Sequence, residues 1–319
     1  MLFITNRAPK GSIHSDFGGE YQFDLTDNSA AHYLYYCSRT APNKYIEIGS
    51  NALMEHLKKS KAQQILFFIH GFSNLPEIDI FAQAEKLQAY FDLKEENLIE
   101  VIALIWPCDN DFGIVKDYWD DQKAADQSAF AFARALEFFM TWRDKADPNI
   151  PCLKRINILA HSMGNRVFRG ALAAWNNYDL AHGVPLLFRN TILMAPDIVN
   201  ESLEEGQDGR LMSQASRNVS VYYASDDLAL RASKISNLKN KVASRRLGHS
   251  GPENQHKIER NVYSIDCDNF NNQYDFPKGH SYFLSDANNE MGRVFEHFYQ
   301  SIKSGRVFVD DKINRQHIL

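Results

Sequence analysis

Six short apolar runs most constrain what this chain can fold into. They cover residues 65–69, 99–106, 156–160, 191–195, 219–224 and 262–265. Each is nearly continuous rather than alternating, which is the pattern of strands buried on both faces. Between them lie stretches with apolar residues at helical spacing. Ile80, Ala84, Leu87 and Phe91 form one; Ala125, Ala129, Phe132, Leu136 and Phe139 a second; Val167, Ala171 and Ala174 a third. Met291, Val294, Phe295, Phe298 and Ile302 make a last stripe. Alternation of this kind predicts a parallel sheet with helices on both sides, joined by right-handed crossovers. The expected class is α/β, with a doubly wound, mostly parallel central sheet. Ligands of such sheets bind beyond the carboxyl ends of the strands. The residues just after each run are therefore the ones to read for chemistry.

The ends of the pattern are less regular. Residues 2–5 and 45–48 read as strands added at the sheet edge, 11–19 as a loop, and 240–257 as a long polar surface loop. A single domain over residues 1–319 is the simplest account, with residues 1–44 as an N-terminal extension or edge strands. No internal repeat is evident.

Composition removes several classes. The formal net charge of -5 does not favour a nucleic-acid partner. The N-terminus, Met1-Leu2-Phe3-Ile4-Thr5-Asn6-Arg7, lacks the basic start and long apolar run of a signal peptide. No apolar stretch approaches the length of a membrane span. Cys37, Cys108, Cys152 and Cys267 lie far apart and read as free thiols of a cytoplasmic protein. No ligand spacing points to a metal, and no cofactor is implied. A basic run, Arg231, Lys234, Lys239, Lys241, Arg245 and Arg246, reads first as a solvated helix face and loop. An anionic substrate or a peripheral membrane contact is its alternative.

The residues after the third run carry the chemistry. Ala160-His161-Ser162-Met163-Gly164 follows a buried strand and opens a helix. This is the G-x-S-x-G nucleophile elbow with Ala160 at the first glycine position. The turn is sharp, so small residues are needed two before and two after the serine. Ser162 is thereby raised above the sheet, at the positive end of a helix. The bland alternative is a serine that caps the helix.

The other parts follow from chain order, which runs serine, acid, histidine in this arrangement. His70-Gly71-Phe72 ends the first run, and its turn aims the Phe72 amide at a developing oxyanion. The Met163 amide is the expected second donor. His70 itself reads as a structural residue that fixes the turn. His280, after the last run and before the last helix, is the expected base; His249 and His256 precede that run. Asp227, three residues past Ala224, is the expected acid, with Asp226 and Asp197 as alternatives. Each carboxylate also has a helix-cap reading. Trp106, Phe112, Tyr118 and Trp119 follow the second run and are candidates to line an acyl pocket, or simply to pack between strand and helix.

These pieces together resemble the α/β-hydrolase superfamily, in particular a bacterial esterase/lipase-like branch. The resemblance rests on His70-Gly71-Phe72, Trp106-Pro107, Tyr118 with Asp121, Ala125 and Ser128, and the run from Ala160 to Asn165. It continues through Ala195-Pro196-Asp197, Ser225 to Leu230, and His280-Ser281-Tyr282-Phe283. It runs from about residue 45 to the C-terminus. It implies a Ser162–Asp227–His280 triad but no particular substrate; the leading reading is a serine hydrolase that cleaves a small or medium acyl ester. Thioesterase, amidase or acyltransferase chemistry would use the same residues. A catalytically silent scaffold that binds a partner or ligand is the rival from another class.

Overall fold

A computed structural model describes the chain except for residues 12–18, 109–113, 146, 148, 150, 181–182 and 232–244. Its strands are β1 (Leu2–Arg7), β2 (Gly19–Tyr21), β3 (Ala30–Ala41), β4 (Lys44–Glu47), β5 (Gln64–Ile69), β6 (Ile99–Ile105), β7 (Arg155–His161), β8 (Phe188–Met194), β9 (Ser216–Tyr223), β10 (Val262–Asp266) and β11 (Gln316–Ile318). The main helices are α1 (Ser50–Lys59), α2 (Ala82–Lys94), α3 (Ile114–Asp144) and α4 (Gly164–Tyr178), with a C-terminal helix at Arg293–Ser304. The residues group into two units. One holds 1–155 and 170–183, the other 156–169 and 184–319.

In the first unit the strand order is β5-β6-β1-β3-β4-β2. β5, β6 and β1 run parallel, and β1-β3, β3-β4 and β4-β2 are antiparallel. The expectation of an edge strand at residues 2–5 is corrected here. β1 lies between β6 and β3, and all six of its residues are buried. Its short apolar run, Leu2-Phe3-Ile4, is that of an interior strand. What hid its position was β3, a twelve-residue partner whose Ala-Ala-His-Tyr start is half-exposed and carries no apolar run. Phe3, Phe23, Tyr45 and Phe81 pack against one another, with ring centroids 4.9–6.4 Å apart. The chain's aromatic content is thus partly spent on this core. Phe81 closes a π-helical turn, Pro76–Phe81, that leads into α2.

In the second unit the order is β11-β10-β9-β8-β7, parallel throughout. A row of buried amides pins its register. Asn190 donates to Asn157 at 2.8 Å and Asn218 donates to Asn190 at 3.0 Å. These three residues are direct cross-strand partners on β7, β8 and β9. A slip of one residue would leave buried polar groups unpaired. The same three strands carry Ser162, Asp197 and Asp227 just past their carboxyl ends. The predicted last helix is present at Arg293–Ser304, with Val294, Phe295, Phe298 and Ile302 buried.

The long surface loop expected at 240–257 is also corrected. Residues 240–244 lie outside the described residues. Beyond them, Leu247–Ser250 is a short helix with Leu247 and Gly248 buried. It is held to the sheet ends by Leu247 N–H to Ile198 O at 2.8 Å and Gly248 N–H to Pro196 O at 2.9 Å, and Ala224 N–H donates to Gly248 O at 3.0 Å. Polar composition hid a segment whose backbone closes over β8 and β9. No helix among the described residues is long and apolar enough to cross a membrane.

Candidate active site

Ser162 sits where β7 ends, two residues before α4 begins. Its φ is +52°, a left-handed conformation that costs a non-glycine residue about 1–2 kcal/mol. The surroundings hold it there. Ser162 N–H donates to Met194 O at 2.9 Å. Its own carbonyl accepts from Asn165 N–H at 3.1 Å, Asp197 N–H at 3.1 Å and the Asn165 side-chain amide at 3.0 Å. Asn165 also donates to Ala160 O at 2.8 Å. Its brace across the turn is a role that reading the sequence did not assign. Met163 is fully buried directly ahead of α4, where first-turn amides have no partner within the helix. Ala160 is also fully buried, consistent with the need for a small residue there.

Asp227 and His280 meet in this unit. His280 Nδ1 lies 2.6 Å from Asp227 Oδ2, with Asp227 fully buried and the imidazole 12% exposed. The second oxygen, Oδ1, accepts Leu230 N–H at 2.9 Å, so the carboxylate also caps the helical turn that follows. The cap reading and the pairing reading are therefore both true of Asp227. Burial pulls the His280 pKa down, but the charge and hydrogen bond of Asp227, with smaller fields from Asp197 and Asp275, outweigh it and hold it above the ordinary value. The loop that presents His280 is braced in turn. Asp275 Oδ2 accepts His280 N–H at 2.9 Å and Ser281 N–H at 2.7 Å, and Asn271 donates to Gly279 O at 3.0 Å. Gly279 has φ +61°, and a Cβ there would lie 2.4 Å from Asn272 Oδ1.

The alternative acids are engaged elsewhere. Asp226 accepts from Asn271 at 2.7 Å and from Asn272. Asp197 forms a buried ion pair with Arg246, Nε to Oδ1 3.1 Å, with side chains 3% and 5% exposed. This corrects the reading of Arg246 as part of a solvated basic face. Arg231 and Arg245 are exposed, and Lys234, Lys239 and Lys241 lie outside the described residues.

In the first unit, His70 is fully buried and stacks flat on Trp106, ring centroids 5.1 Å apart at 2°. Trp106 Nε1 donates to His70 O at 2.9 Å. Burial pushes the His70 pKa down to about 3, against backbone hydrogen bonds that favour its charged form. The ring is thus neutral and serves the turn. Beyond it, Ser73 takes φ +57°, and its amide donates to Asp121 Oδ2 at 3.3 Å. The Phe72 ring meets Tyr118 edge-on at 5.8 Å. Trp106 is fully buried. Phe112 and the Trp119 side chain lie outside the described residues. Among those residues no cluster of His, Cys, Asp or Glu could hold a metal ion. Cys37, Cys108, Cys152 and Cys267 form no disulfide.

With this geometry in hand, comparison with known proteins is informative about family. The family model described as alpha/beta hydrolase of unknown function (DUF900) matches residues 48–293. No curated protein matches the chain. Among solved structures, phospholipase PlaB from Legionella pneumophila, in complex with thio-NAD, is similar at 17% identity with a TM-score of 0.28. That likeness covers 64% of this chain, which spans only 37% of the phospholipase. The family match extends over most of the chain and takes in both the elbow and the His280 loop, so this protein belongs to the alpha/beta hydrolases of the DUF900 family.

Proposed function

We propose that the protein is a serine hydrolase that cleaves carboxylic esters through an acyl-enzyme on Ser162, with His280 as base and Asp227 as the orienting acid. The observation that carries this reading is the buried 2.6 Å Asp227–His280 pair, in the same unit as a serine held at positive φ. Asp227 occupies Nδ1, which leaves Nε2 of His280 for the serine. Ser162 Oγ attacks the ester carbonyl carbon and its proton passes to His280. The carbon–oxygen bond to the alcohol breaks, and His280 returns the proton to that oxygen. A water then gives a proton to His280 while its oxygen bonds to the acyl carbon, and Ser162 leaves and is reprotonated. The Met163 amide is the donor for the oxyanion.

Intact mass after incubation with a fluorophosphonate tests this. A single adduct on wild type and none on Ser162→Ala is expected. A folded wild-type protein that takes no adduct would overturn the reading in favour of a silent scaffold.

A further inference from the structure

The residue before the nucleophile reaches the base. His161 is the last residue of β7 and is buried. Its ring centroid lies 4.9 Å from that of His280 and 4.9 Å from that of Phe283, each plane tilted by 41°. Its Nε2 lies 3.3 Å from the backbone carbonyl of His280. A carbonyl only accepts, so Nε2 carries the proton of this contact.

We propose that His161 is a positioning residue for His280: its Nε2–H holds the His280 backbone, and its ring, wedged against Phe283, fixes the plane of the imidazole. The inference rests on His280 being the base of the proposed hydrolase. It gives the elbow a second task, because one short segment then supplies the nucleophile and steadies the group that activates it. The other groups facing His280 are accounted for. Asp227 binds Nδ1 and Asp275 binds the backbone amides. Asp197 acts at longer range and is paired with Arg246. Asp226 is bound to Asn271 and Asn272. Among the described residues, His161 touches both the ring and the carbonyl.

The test uses the full chain as wild type, His161→Phe and His161→Gln, with folding checked by thermal melting. Phenylalanine keeps a stacking ring without the donor; glutamine keeps a donor without the ring. The rate of fluorophosphonate labelling is measured from pH 5 to 9, and the downfield Nδ1 proton of His280 is observed by NMR. Misplacement of a reacting group by about 1 Å costs on the order of 100-fold. Labelling is expected to fall by about 10- to 100-fold in His161→Phe, with partial recovery in His161→Gln and a displaced pH midpoint in both. The His280 proton signal should move or broaden in both variants. Wild-type rates, wild-type midpoints and an unmoved signal in folded variants would overturn the proposal. If wild type itself takes no label, the hydrolase reading fails. The NMR signal then decides the positioning role alone, for or against.

Discussion

The Asp227 carboxylate holds His280 Nδ1 at 2.6 Å with one oxygen and caps the following turn through the Leu230 amide with the other. One buried side chain thus fixes both the ring and the loop that carries Asp227. Asp197, the acid-loop alternative, has Arg246 at 3.1 Å instead. The two carboxylates are therefore expected to differ sharply in their effect on rate.

Asp227→Asn keeps an oxygen for the cap but loses the negative charge and favours the wrong imidazole tautomer. Loss of kcat of about 10,000-fold is expected, by analogy with the orienting acid of other serine hydrolases. Asp197→Asn should change kcat by less than about 10-fold, since its charge acts on His280 only at a distance. Steady-state hydrolysis of a short-chain aryl ester compares them. The reverse ranking would make Asp197 the acid.

The His280 shift has two consequences of opposite sign. Its folded pKa lies above the ordinary value near 6.5. The proposed base role requires a neutral ring, so the labelling rate should rise with pH through a midpoint above about 6.5. In the same window the folded state holds a proton that the unfolded chain has released. The stabilisation from that proton is complete below about pH 6.5 and is lost as pH rises through the folded pKa. Melting temperature and labelling rate should therefore move in opposite directions there. A rate midpoint below 6.5 would contradict the assignment of His280 as base.

His70 and His297 act the other way. Burial holds their pKa values at about 3 and about 4. Unfolding lets both take up a proton, so stability is full above about pH 6.5 and falls as pH drops towards those values, by about 1.4 kcal/mol per pH unit for each proton. His297 receives a hydrogen-bond contact from Tyr222 at 2.7 Å and lies 2.9 Å from Phe308 O. His297→Gln should flatten the dependence of the urea midpoint between pH 6 and 4.5 by roughly one proton. An unchanged slope would show that His297 is charged in the fold.

How much of this was legible before the structure depends on where the physics is local. β5 to β10 announce themselves because strands buried on both faces are apolar along most of their length. Ser162 and Asp227 follow such runs within three residues and His280 lies between the last run and the last helix, so their places could be read off chain order. β3 and β11 could not, since one is half-exposed and the other has three residues. Asn165 and Arg246 were invisible for a different reason. Asn165 depends on the exact turn that brings the Ala160 and Ser162 carbonyls to its amide, and Arg246 on the tertiary closure that brings Asp197 to it. A basic, polar stretch such as 231–246 looks solvated until something buries one of its members.

Arg246 offers a direct measure of that burial. Removing one partner of a buried ion pair leaves an uncompensated charge and costs about 3–5 kcal/mol. Arg246→Met is therefore expected to lower the unfolding free energy by about that amount. Replacing both partners, as Arg246→Met with Asp197→Leu, should restore much of the loss, because the pair exchanges for apolar contact. Urea unfolding of the single and double variants gives both numbers. A single variant within about 0.5 kcal/mol of wild type, the range of surface substitutions, would mean that the pair is solvated after all.

Gly248 ties the closing segment to the site. A Cβ at this position would lie 2.3 Å from the Ala195 carbonyl carbon and 2.5 Å from Pro196 N. Both are backbone atoms in a stretch where Ala195 already has φ +42°. The chain there cannot yield without moving its neighbours. Met194 O receives the Ser162 amide and the Asp197 amide donates to Ser162 O, so a displacement of residues 194–197 passes straight into the elbow. Gly248→Ala is expected to lower stability by about 1–3 kcal/mol through overpacking. It should also slow Ser162 labelling on the order of 100-fold through misplacement, although Gly248 touches neither Ser162 nor His280 in any described contact. Labelling at the wild-type rate in a folded Gly248→Ala protein would show that the segment 245–251 moves independently of Ser162.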